Sequence, residues 1–192
     1  IEIYRDVLEK DAANDDALEA LERLQAIPEH ELAIATILEP IYRGKQDHAK
    51  LIQVYEVMIA KSEDPQRTVE LLHKIGELWE LAADDPQKSF ETYARALAVD
   101  PANSDTQAAL ERFARVLGTW PELAEVYEQR IAAAQDPELS AALHARVALH
   151  YEEQIGDLER AIEHHRKVLE IDGANLEAAS SLERLFQLSE KY

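Results

Sequence analysis

The chain has 192 residues, 46% hydrophobic and 31% charged, with a formal net charge of −19 and no cysteine. That length can bury a substantial core. The missing cysteines exclude a disulfide framework and thiolate chemistry, and the acidic balance opposes nucleic-acid phosphates and anionic bilayers.

No apolar run approaches the roughly 20 residues needed to span a bilayer, so membrane insertion is excluded. No secretory leader is visible. The compartment stays open between cytoplasm and periplasm, with a slight preference for the cytoplasm. The chain opens mid-pattern at Ile1-Glu2-Ile3-Tyr4 and stops mid-pattern at Glu190-Lys191-Tyr192, so a piece of a longer protein is expected.

Ala, Leu and Glu dominate, only 5 glycines and 7 prolines punctuate the chain, and period-2 runs of Val, Ile and Thr are absent. This predicts an all-α protein. In chain order, about 11 helices are expected, over 2–11, 15–25, 29–43, 47–61, 65–82, 86–98, 103–117, 120–134, 137–154, 157–170 and 175–189. Leu123, Val126, Tyr127, Arg130, Ile131 and Ala134 form one helical stripe, and Leu158, Ala161, Ile162, His165, Val168 and Leu169 another. Asp64-Pro65, Asp85-Pro86 and Asp136-Pro137 each set an N-cap acceptor before a proline at the first helical position. Gly118, Gly156 and Gly173 supply turns. Pro40 interrupts the run Leu32–Arg43, where a kink or two short helices should result.

Residues 38–112 return at 110–184, shifted by 72 positions without a gap, with 22 identities in 75 pairs. A period of this kind means a stacked array of supersecondary units. Upstream, Tyr4, Leu8, Asp11 and Asn14 match Tyr93, Leu97, Asp100 and Asn103, and Leu21-Glu22-Arg23 matches Leu110-Glu111-Arg112 at a shift of 89. The 17 extra residues near 26–42 read as one additional helix. The expected organisation is a single array over 1–192, irregular over 1–46, with double repeats at 38–109 and 110–184.

The segment Ile75-Gly76, Trp79, Ser89, Tyr93, Ala96, Pro101 resembles a tetratricopeptide repeat, and so does Val147-Ala148, Tyr151, Ala161, His165, Val168, Gly173. His165 stands where the first segment has its second aromatic, and Gly173 where it has proline. The resemblance implies a right-handed α-solenoid of antiparallel helical hairpins. It also implies a concave groove, lined by the first helix of each hairpin, that receives a peptide. Its positions fall on Glu70, His73, Glu77 and Glu80, then Arg112 and Arg115, then Leu149 and Glu152, then Arg184 and Gln187. The Lys and Asn set with which some members clamp C-terminal carboxylates is not present.

No chemical constellation competes. His164 and His165 are adjacent and point about 100° apart on a helix, His144 and His150 are six apart, and no HExxH occurs. The five glycines are isolated, which leaves no phosphate loop, and no G-x-S-x-G is present. Trp79 and Trp120 read as packing residues. The expectation is therefore a non-enzymatic scaffold without cofactor or metal, binding a protein or peptide, with the groove arginines suited to an acidic or C-terminal carboxylate segment. The alternative is a structural or self-assembly module, a homo-oligomer formed through apolar end faces at Ile1, Ile3 and Val7 and at Leu182, Leu185, Phe186 and Leu188.

Overall fold

The computed structural model describes residues 1–189. Among them lie eleven α-helices, one π-helical turn and no strand. The helices are α1 (Glu2–Lys10), α2 (Asp15–Leu24), α3 (Glu31–Lys45), α4 (His48–Ala60), α5 (Pro65–Leu81) and α6 (Pro86–Val99). They continue as α7 (Ser104–Leu117), α8 (Trp120–Ala133), α9 (Pro137–Leu149), the π-turn (His150–Ile155), α10 (Leu158–Ile171) and α11 (Leu176–Ser189). Over the described residues the protein is thus all-α, built of helical hairpins.

The punctuation works as the sequence demands. The side chains of Asn14, Asp47, Asp64, Asn103, Asp136 and Asp157 each accept a backbone N–H from the first turn that follows. Gly118 and Gly156 end their helices in the left-handed region, at φ 72° and 81°. The expected helix 137–154 is only partly α. Its last turn widens to a π-helix, and the N–H groups of Gly156 and Asp157 both donate to the carbonyl of Tyr151, at 2.8 and 2.9 Å. Pro40 lies inside α3, which is one helix rather than two short ones. The carbonyl that loses its donor belongs to exposed Thr36, where water can replace it.

Two compact units divide the chain, Ile1–Val99 and Asp100–Tyr192. Each is built by packing sequential helices against one another. In the first, Leu21, Ile34, Leu38, Leu71, Leu72 and Ile75 are fully buried. In the second, Leu110, Phe113, Leu123, Tyr127 and Leu143 are. Burying each such side chain contributes about 1.5–3 kcal/mol.

In the first unit, α5 and α6 meet at Gly76. A Cβ there would stand 2.6 Å from Tyr93 Cε2, so only glycine permits the contact. The hydroxyl of Ser89 closes the same crossing by donating to the carbonyl of Gly76 at 3.0 Å. In the second unit, α11 buries Leu182 and Leu185, so of the apolar residues expected at that end only Phe186 and Leu188 remain exposed. At the other end Ile3 is exposed, while Ile1 and Val7 are half-buried.

Candidate binding pockets

The first unit holds a cavity of about 520 Å3 between α3, the start of α4, and α5. The second unit holds one of about 410 Å3 between α7, the start of α8, and α9 with its π-turn. The two are repeat equivalents. Seven lining positions correspond at the 72-residue shift: Arg43 and Arg115, His48 and Trp120, Lys74 and Arg146, Glu77 and Leu149, Leu78 and His150, Leu81 and Glu153, Ala82 and Gln154. The repeat therefore reproduces a concavity as well as a backbone, while its lining has diverged.

Each pocket region carries two cations and one partly buried carboxylate, and the carboxylate engages a different cation in each unit. In the first, Glu39 pairs with Arg43 one turn away and accepts from the Tyr55 hydroxyl at 3.0 Å. Arg43 also donates to that hydroxyl at 3.3 Å. Lys74 lies over the Tyr55 ring at 5.5 Å, and among the described residues no carboxylate forms an ion pair with it. Burial pulls its ammonium below the usual lysine pKa, and the charges of Arg67 and Arg43 add to the effect. Glu70 and Glu77 act the other way and are outweighed.

In the second unit, Glu111 pairs with Arg146 and meets His150 Nε2 at 3.2 Å. The hydrogen bond from His150, then the Arg146 charge, hold the Glu111 carboxyl below the usual range against its own burial. Arg115 is left at the exposed rim. The Trp120 ring stands 5.3 Å from that of His150, so this tryptophan lines the pocket as well as packing its floor.

The residues read as groove positions have varied surroundings. Glu77 lines the first pocket, and Arg115 and Leu149 line the second. Glu70 is tied to Arg67 on the surface at 3.1 Å, and the His73 ring tilts against Tyr93 at 5.2 Å. Glu80 is half-buried, Arg112 lies over the Phe113 ring at 4.3 Å, and Gln187 is exposed. Arg184 pairs with Glu152, whose side chain is only 8% exposed. That guanidinium neutralises a nearly buried carboxylate. The pair crosses from α11 to the π-turn rather than running along one helix.

Family positions do not single out Glu39, Arg43, Lys74, Trp120, Arg146 or His150 as groove residues. The repeat itself carries the signal. Glu39 and Arg43 recur unchanged as Glu111 and Arg115, and Lys74 keeps its charge as Arg146. The histidines form inter-helix pairs that residue spacing does not reveal. His144 Nδ1 lies 2.9 Å from His164 Nδ1, on α9 and α10. Among the described residues no three His, Cys, Asp or Glu side chains form a group able to hold a metal ion, and no helix is long and apolar enough to cross a membrane.

No model of a known protein family matches the chain, and neither does any curated protein. Solved structures do. One, of MamA protein, is 19% identical, covers 83% of this chain and 82% of its own, and has a TM-score of 0.43. A second, TTC0263, a thermophilic TPR protein in Thermus thermophilus, is 17% identical over 97% and 88%, with a TM-score of 0.38. A third, a TPR2AB-domain:pHSP90 complex of yeast Sti1, is 14% identical over 99% and 83%, with a TM-score of 0.39.

Proposed function

We propose that this chain is a non-enzymatic interaction scaffold, which binds a peptide or protein surface along the α3–α5 face and the α7–α9 face. One observation carries the reading: a pocket recurs at equivalent positions of the 72-residue repeat, with cations beside apolar and aromatic walls in both copies. Repetition of a concavity is what a recognition surface requires, and a solvated helix face does not. Glu77, Arg115 and Leu149 are the groove candidates that line these pockets. Glu70, His73 and Glu80 flank the proposed face of the first unit, and Arg112, Glu152, Arg184 and Gln187 flank or support that of the second. The period also favours the two units as consecutive stretches of one array. The cations in an acidic chain suit an acidic or C-terminal carboxylate segment of the partner.

A pull-down comparing the wild-type chain with Arg115→Ala plus Leu149→Ala, and with Lys74→Ala, tests this. The expected result is weaker partner capture at an unchanged melting temperature. The competing reading is self-assembly, which the exposed Ile3, Phe186 and Leu188 favour. Unchanged capture in both variants, together with loss of a sedimenting oligomer on Ile3→Ser plus Phe186→Ser, would put that reading first.

A further inference from the structure

The first unit has a second cavity, of about 440 Å3, whose lining includes Leu32, Met58 and Leu71. Arg43 and Lys74 line both this cavity and the one walled by Leu51, Leu78 and Leu81. Arg43 and Lys74 therefore stand between two hollows on the α3–α5 face, each with an apolar wall, and the second also holds Lys61 and Arg67, which are paired with Glu31 and Glu70. Arg43 is occupied by Glu39 and Lys74 by no carboxylate among the described residues.

We propose that this groove binds an extended peptide segment that carries one internal carboxylate between two apolar side chains. The carboxylate sits on Lys74, one apolar side chain sits against Leu78 and Leu81 above the buried Leu51, and the other sits against Leu32 and Met58 above the buried Leu71. The proposal rests on the scaffold reading and names the ligand chemistry of one unit.

Four observations support it. An extended strand puts alternate side chains on the same face, so an apolar–x–acidic–x–apolar order presents its three anchors to one surface. Lys74 is half-buried and already depressed in pKa, so its charge is costly as it stands and gains most from a carboxylate. Glu77 and Glu70 on the same helix do not neutralise it, since Glu70 is held by Arg67 and Glu77 is exposed. In the second unit the residue equivalent to Lys74 is Arg146, which Glu111 neutralises internally. Its pocket therefore offers no half-buried counterpart to this anchor, only the exposed Arg115 at its rim, and it serves as a comparison within the same chain.

The test uses the whole chain and short fluorescent peptides containing Leu-Ser-Asp-Ser-Leu, with a matched peptide carrying Asn for Asp, read by anisotropy. The expected result is about tenfold weaker binding of the Asn peptide to the wild-type chain, as befits one charge-assisted contact. Lys74→Gln should abolish that discrimination, Lys74→Arg should retain it, and Arg146→Gln should leave it untouched. Circular dichroism and melting confirm that each variant is folded. Equal binding of the two peptides, binding of neither, or discrimination that survives Lys74→Gln would overturn the proposal. So would a Lys74-dependent oligomer in sedimentation, which would make the occupant a second copy of the chain. Partner capture that still depends on Arg115 and Leu149 would leave the scaffold reading standing in any of these cases.

Discussion

The two units place very different side chains at equivalent core positions. In the first, Gly76, Ser89 and Tyr93 lock α5 to α6 through a glycine contact and a hydroxyl bond. Their counterparts in the second are Ala148, Ala161 and His165. The added methyl of Ala148 is matched by a smaller ring opposite, so volume is exchanged across the crossing. A wider exchange accompanies it. Leu72, Leu78, Thr92 and Tyr93 of the first unit correspond to His144, His150, His164 and His165 of the second. Three of these histidines are at least nine-tenths buried. One hairpin backbone thus carries a mainly apolar core in one copy and a titratable core in the other, because hairpin packing needs matched volume rather than particular residues, and the exchange leaves His150 Nδ1 and both ring nitrogens of His165 buried without a hydrogen-bond partner.

The largest expected effect comes from breaking the crossing that the first unit builds on glycine. Gly76→Val should cost about 3 kcal/mol through overpacking against Tyr93. Gly76→Ala should cost less, and adding Tyr93→His, the pairing of the second unit, should relieve part of that cost. Melting of the single and double variants measures the coupling.

The second prediction concerns acid. Burial lowers the pKa of His144, His164 and His165. Glu128, Glu152 and Glu163 oppose the shift, and Arg160, Lys167 and Arg184 reinforce it. The unfolded chain then takes up protons before the folded one. The stabilisation is complete above the unfolded value of about 6.5 and is lost as pH falls through it toward the lowered folded values. Hydrogen exchange at about pH 7.5 and about pH 5.5 should show the second unit opening sooner in acid, with the first unit unaffected. His144→Leu with His164→Thr, which copies the first unit, should blunt the response. Equal acid sensitivity in both units would refute the assignment.

A smaller effect separates the arginines of the second unit. Arg184→Ala should cost about 1 kcal/mol, because Glu152 is left nearly buried without its partner. Arg115→Ala at the rim should cost roughly 0–0.5 kcal/mol. Chemical denaturation distinguishes the two. A small effect of opposite sign is expected at Pro40, whose counterpart is Arg112. Pro40→Ala restores one exposed helical hydrogen bond and should leave the fold intact or steadier by about 0.5 kcal/mol.

The helices, their caps and the 72-residue period were legible in the sequence because each rests on local chemistry. Asp-Pro starts a helix at Asp64, Asp85 and Asp136, while Asp100-Pro101 lies in the turn before Asn103 caps α7, and apolar spacing fixes the buried face. The π-turn was not legible, since His150–Ile155 continues the same apolar pattern and only the receiving carbonyl of Tyr151 marks the widening. The candidate site was legible only as far as its pocket lining. Family positions led to Glu77, Arg115 and Leu149, all of which line a pocket. They did not lead to Lys74 or to the Glu111–Arg146 pair. Which of two cations a carboxylate chooses depends on distances between α7 and α9, and no residue spacing encodes them. Glu39 and Glu111 are the same residue at equivalent positions, yet one turns to Arg43 and the other to Arg146.

Of the two repeat-equivalent pockets, only the first leaves a half-buried cation, Lys74, without a carboxylate among the described residues. Methyl NMR of the leucines during titration with the Leu-Ser-Asp-Ser-Leu peptide tests it most directly. Shifts are expected at Leu32, Leu51, Leu71, Leu78 and Leu81 and none at Leu143 or Leu149. Equal shifts at Leu149, or shifts in neither unit, would contradict it.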